Sequence, residues 1–137
     1  FALEQGESIM GLLTSLPRAE VALGSAIVPA TDATSTIDPG KAAQAFYGEC
    51  PPPTIDAAIP RLSPQLMVTF TDAVTGSPRD RIDSTYVRCL RDQSIHLSHQ
   101  DAMAARCGAT HTLDTDHSPF VSRVAETAAI VQRLATS

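Results

Sequence analysis

Asp92 and His117 are the two residues of this sequence whose types and spacing best suit chemistry. They stand twenty-five residues apart, each just beyond a short run that reads as a β-strand, 85–90 before the acid and 110–113 before the histidine. Between them residues 97–107 read as a helix, closed by Gly108 just past its last turn, and a further helix follows His117. Strand, loop, helix, strand, loop, helix is a βαβα unit. In an open parallel sheet the loops beyond the strand ends share one edge, where ligands collect. A carboxylate and an imidazole on adjacent strand ends can meet there, and their chemistry would be proton transfer near neutral pH.

The rest of the chain must hold that unit in place. Residues 1–16 carry apolar side chains at roughly helical spacing and stop at Pro17. Residues 20–28 and 34–37 are β-branched and partly alternating, which predicts a short antiparallel pair. Asp38 and Pro39 then predict an N-cap and first helical position for a helix over 41–47. Pro51, Pro52 and Pro53 break the chain, and Thr54 is expected to cap a second helix running to about residue 62. The apolar run 66–70 reads as a strand, and Gly76, Ser77 and Pro78 end the region. Strand 85–90 is expected to be covered on both faces. Met103, Ala104 and Cys107 form one apolar stripe, and residues from Pro119 onward show the period of a C-terminal helix.

Composition excludes several partners. With a formal charge of −5 and Lys41 as its single lysine, the chain lacks the clustered cations that bind phosphate backbones, so no nucleic acid is expected. No apolar run approaches the ~20 residues needed to cross a bilayer, so no membrane partner is expected either. Residues 1–15 do not have the form of a signal peptide. Cys50, Cys89 and Cys107 are odd in number and lack a Cys-x-x-Cys pairing; they read as reduced, buried thiols, which favours the cytoplasm. His96, His99 and His111 match no zinc motif, so no metal is expected. Asp114 and Asp116, so close to His117 in sequence, read as loop-shaping residues. The arginine-rich, alanine-rich usage fits a bacterial genome of high GC content.

Two motifs carry a resemblance. Tyr86-Val87-Arg88-Cys89-Leu90-Arg91-Asp92 matches Tyr-Val-x-Cys-x-x-Asp, and Thr115-Asp116-His117-Ser118-Pro119-Phe120 matches Gly/Thr-Asp-His-x-x-x. The segment resembles the C-terminal part of α/β-hydrolases, in the branch that holds plant hydroxynitrile lyases, plant methylesterases and their bacterial relatives. The likeness is strongest over 84–137 and looser over 1–83, where Phe46-Tyr47-Gly48-Glu49-Cys50 resembles a Phe-Tyr-x-Asp-Cys stretch of the bacterial members. In that family the order along the chain is nucleophilic serine, aspartate, histidine. The resemblance therefore implies that His117 takes a proton from a serine hydroxyl and Asp92 holds its tautomer.

No Gly-x-Ser-x-Gly stretch occurs in these residues. The expectation is the C-terminal half of an α/β fold: strands seven and eight of a parallel sheet with their helices (79–137), preceded by a mainly helical cap and its return to the sheet (1–78). The sixth strand would lie just upstream of Phe1. The implied partners are a small ester or acyl substrate and the N-terminal half of the same hydrolase, in the same or a separate chain. A homodimer is left open, and no cofactor is implied. Ile9, Leu12, Leu13, Phe46 and Tyr47 are candidates to line an acyl pocket, with core packing the plainer reading of each. Ser118 stands where the hydroxynitrile lyases carry a lysine that handles cyanide, which shifts the weight to ester hydrolysis. Two alternatives remain: a non-catalytic binding module derived from the fold, and lyase or lactonase chemistry in the same family.

Overall fold

In the computed structural model, which describes residues 1–17 and 20–136, the first helix begins later than residue 1. The Ser8 hydroxyl accepts a hydrogen bond from the Gly11 amide and caps α1 (Ile9–Ser15), which ends before Pro17. Ahead of it the chain turns at Gly6, whose φ of 85° suits glycine and strains other residues. Around that turn the Gly6 amide donates to Val74 and the Val74 amide to Glu7.

Residues 20–28, expected as strand, are helical over α2 (Ala22–Ala26) and extended only in β1 (Ile27–Pro29). The reason lies in the residue types: Ala22, Leu23 and Ala26 are good helix formers, and the β-branched pair Ile27 and Val28 comes after them. β1 pairs antiparallel with β2 (Thr34–Ile37), Ile27 opposite Ile37. Asp38 then caps α3 (Pro39–Phe46) by accepting from the Gly40 amide, as its sequence position predicts. Ala26, Ala42 and Ala45 are buried, and their methyl side chains let α2 and α3 lie close together.

Pro51, rather than Thr54, precedes α4 (Pro52–Ala58), which tightens into a 3-10 turn over Ile59–Arg61. Pro52 takes the first helical position, where a missing N–H breaks no bond. Of the apolar run 66–70 only Leu66 is strand, in β3 (Gln65–Leu66), antiparallel to β2. A single turn of helix follows, α5 (Val68–Thr71). The Thr69 hydroxyl donates to the Leu66 carbonyl and accepts from the Gln65 amide, which stabilises the turn against continued strand.

β4 (Thr85–Cys89), α6 (Leu97–Ala104) and β5 (Ala109–Leu113) form the expected crossover, with the strands parallel and Thr85 opposite Ala109. Helix α6 packs on β4. Only Cys89 of β4 is fully buried, so the strand is not covered on both faces as expected; its main packing partners are β5 beside it and α6. The helix predicted over 97–107 ends at Ala104, and the C-terminal helix is broken at Arg123 into α7 (Pro119–Ser122) and α8 (Val124–Thr136). The core joins the N-terminal segment to α6: Ala2, Leu3 and Leu12 pack on Met103, and Ile9, Tyr86 and Ile95 lie against the same cluster. No helix among the described residues is long and apolar enough to cross a membrane.

Candidate active site

Because β4 and β5 are parallel neighbours in register, their C-terminal ends lie side by side. Asp92 follows the first and His117 the second. Nδ1 of His117 stands 2.9 Å from Oδ2 of Asp92. A carboxylate only accepts hydrogen bonds, so the proton of this pair sits on Nδ1, and Nε2 is left as the basic nitrogen. The other carboxylate oxygen, Oδ1, accepts from the amides of Ser94 at 2.7 Å and Ile95 at 2.9 Å, closing an Asx turn. With 5% of its side chain exposed, against 33% for His117, the acid is enclosed and the base is reachable.

The acid loop is tied down on several sides. The Ser94 hydroxyl donates to the Ala45 carbonyl of α3, and the Leu23 amide of α2 donates to Gln93. From α6, the buried Gln100 side chain bonds both the N–H and C=O of Cys89 and the C=O of Ile95. None of these anchors was singled out in the sequence. A polar residue facing the sheet from α6 was the available signal, since a buried amide requires partners.

Beside the base, Asp116 is buried and accepts from the Glu49 and Ser118 amides and the Ser122 hydroxyl. Burial pushes its carboxyl up, but these bonds outweigh it and hold the group below the usual carboxylate range. Asp114 lies 2.9 Å from the Arg91 guanidinium at the surface. His96 caps α6, His99 bonds the Leu13 carbonyl at 3.0 Å and His111 lies on β5; the three do not converge. Among the described residues no group of three or more His, Cys, Asp or Glu is placed to hold a metal.

His117 opens on an apolar cavity of about 160 Å³. Ile9 and Leu13 line it, joined by Met10, Leu23, Ile27 and Phe70, which sequence reasoning did not single out. A larger cavity of about 480 Å³ adjoins it, sharing Leu13, Leu23, Ile27 and Ser94. Phe46 packs its ring on the His117 imidazole, centroids 5.6 Å apart. The other two candidates are placed elsewhere. Leu12 is 2% exposed and turned into the core, one helical position away from the lining residue Leu13. Tyr47 packs edge-on against Phe46 and borders a separate surface cleft near α4.

No protein-family model matches the sequence, and no curated protein matches it. Solved structures do. A pyrethroid hydrolase from Sphingobium faniae JZ-2 superposes with a TM-score of 0.78 at 19% identity, over 99% of this chain and 58% of that one. Polyneuridine aldehyde esterase gives 0.75 at 11% identity, over 96% and 58%. A methylesterase from Arabidopsis gives 0.69 at 21% identity, over 85% and 52%. The chain thus spans somewhat more than half the length of the proteins it resembles, and its fold is that of the C-terminal part of an α/β-hydrolase.

Proposed function

We propose, on the premise that the chain carries the C-terminal part of an α/β-hydrolase fold, that it supplies the acid and the base of a serine hydrolase acting on a small carboxylic ester or related acyl compound. The nucleophile comes from the other half of the fold, in the same polypeptide or a separate one. Residues 1–78 serve as cap and return, and 79–137 as the core segment. The observation that carries this reading is the His117–Asp92 hydrogen bond at 2.9 Å, with Asp92 enclosed and His117 facing an apolar cavity.

In the reaction the serine hydroxyl attacks the ester carbonyl while its proton passes to Nε2 of His117. Asp92 stabilises the imidazolium that forms. The proton then goes to the leaving alcohol oxygen, and water repeats the sequence on the acyl-enzyme to release the acid. Ile9 and Leu13, which line the cavity beside His117, would meet the apolar part of the substrate, and Phe46 would back the imidazole. Two features support a second half: the parallel β4–β5 pair has no further strand beside it among the described residues, and Phe120, Val124 and Val131 expose apolar side chains.

The test uses the protein purified as its cells make it. Denaturing intact mass should find a longer chain or a second polypeptide, and a fluorophosphonate probe should label a serine on it. Para-nitrophenyl butyrate should be hydrolysed, and His117→Ala should lower kcat by about 10⁶-fold, the scale of removing a triad base. A sole 14.5 kDa species that neither labels nor turns over the ester would defeat the proposal and leave a binding module.

A further inference from the structure

The Asp116 carboxylate faces two ways. Its Oδ1 accepts from the Ser118 amide at 3.0 Å and the Ser122 hydroxyl at 2.8 Å, both just beyond His117 in sequence. Its Oδ2 accepts from the Glu49 amide at 2.8 Å and the Cys50 thiol at 3.7 Å, on the turn that follows α3. On the outer side of the same turn, the Glu49 carboxylate lies 3.0 Å from Arg91 and 3.6 Å from Arg123. Arg91 in turn holds Asp114, by its side chain at 2.9 Å and its carbonyl at 2.9 Å.

Arg91 immediately precedes Asp92, and Asp116 immediately precedes His117. One short turn is therefore bonded to both loops of the acid–base pair, while Phe46 at its start packs on the imidazole. The Asp116 bonds add stability, but the surface ion pairs around them do not explain why both loops are tied to one turn. Half-exposed ion pairs such as those of Glu49 contribute little. What the bonds do provide is a fixed position for two loops that have no regular structure of their own.

We propose that Asp116 and Glu49 are positioning residues, clamping the acid loop and the base loop to the turn after α3 so that the seat of that turn sets the alignment of His117 with Asp92. The catalytic meaning of the clamp rests on the hydrolase reading; the clamp itself does not. Asp116→Asn separates its two sides. The amide carbonyl keeps the Ser118 and Ser122 donors, which leaves an NH₂ group opposed to the Glu49 N–H, donor against donor.

The experiment is ¹H–¹⁵N spectroscopy of the histidine rings in the ¹⁵N-labelled protein, with Asp92→Asn as the reference for a lost pair. The wild type should show a slowly exchanging His117 Nδ1–H. Asp116→Asn should lose or broaden it, and should lower kcat for para-nitrophenyl butyrate by roughly 10- to 100-fold, the scale of a small misplacement, with KM little changed. If near-ultraviolet circular dichroism shows Asp116→Asn unfolded, Glu49→Ala, altered on the solvent side, carries the test in the same way. An unchanged His117 ring signal in the folded variant overturns the proposal. Absence of ester turnover in the wild type counts against the hydrolase reading alone, because the ring signal still decides the clamp.

Discussion

The side-chain amide of Gln100 is bonded to the backbone of Cys89 as a neighbouring strand would be. Its carbonyl accepts from the Cys89 N–H at 2.8 Å, and its NH₂ donates to the Cys89 C=O at 2.9 Å and to the Ile95 C=O at 2.9 Å. A residue of α6 therefore terminates β4 and spans the base of the loop that carries Asp92. Gln100 is 1% exposed, so these bonds are sealed from bulk solvent.

Gln100→Leu, similar in size and apolar, should leave the Cys89 N–H and the Ile95 C=O without those partners, while the Cys89 C=O keeps the Asp92 amide at 3.4 Å. At about 1–3 kcal/mol for each unsatisfied group the loss is on the order of 2 kcal/mol or more. Urea denaturation at neutral pH measures it, and Gln100→Glu should be damaging as well, because it keeps the acceptor but loses both donations.

Leu12 and Leu13 are adjacent in α1 and should respond differently. Leu12→Ala removes core packing against Met103 and should cost about 2–5 kcal/mol in a denaturant titration. Leu13→Ala enlarges the cavity beside His117; its stability loss should be smaller, and its effect should appear as a changed KM for esters of different acyl length.

Asp116 links stability to acid. Its folded-state value lies below the ordinary 3.8, so it adds stability above the unfolded value, and that increment is lost as the pH falls through the folded one. Below pH 3.8, unfolding free energy should rise with pH in the wild type and rise less in Asp116→Asn. Denaturant titrations at a series of acid pH values test the difference in slope.

The three thiols should separate by reactivity. Burial, with the negative charge of Asp116 beside Cys50 and of Asp92 near Cys89, raises both groups to about 11. The thiolate is the reactive form, so at pH 8 a disulfide reagent should titrate the half-buried Cys107 first. Cys50 and Cys89 should react only when guanidinium unfolds the protein, and rapid titration of all three in the native state would contradict the packing.

Elements governed by near neighbours were legible in the sequence. The Asp38–Pro39 helix start, the pairing of residues 34–37 and the parallel strands around residues 97–104 follow from capping chemistry, turn residues and periodicity, all of which act within a few positions. Where near-neighbour rules conflicted with packing, the reading went astray. The β-branched run at Val68 is helical because Gln65 and Thr69 bond around it, and α2 is helical where alanines pack on α3. Neither arrangement has a period to read.

By itself the sequence determined that an acid and a base stand beyond two successive strands, since residue type and order are local facts. Only the tertiary structure decided that Asp92 and His117 come to 2.9 Å, that Leu13 and not Leu12 faces the cavity, and that Gln100 and Asp116 hold the loops. The physical reason is separation along the chain. The partners of Asp116 lie on a distant turn, and Met103 meets Ala2 near the start of the sequence. Such contacts form from the way whole elements pack, and no short window of residues contains them.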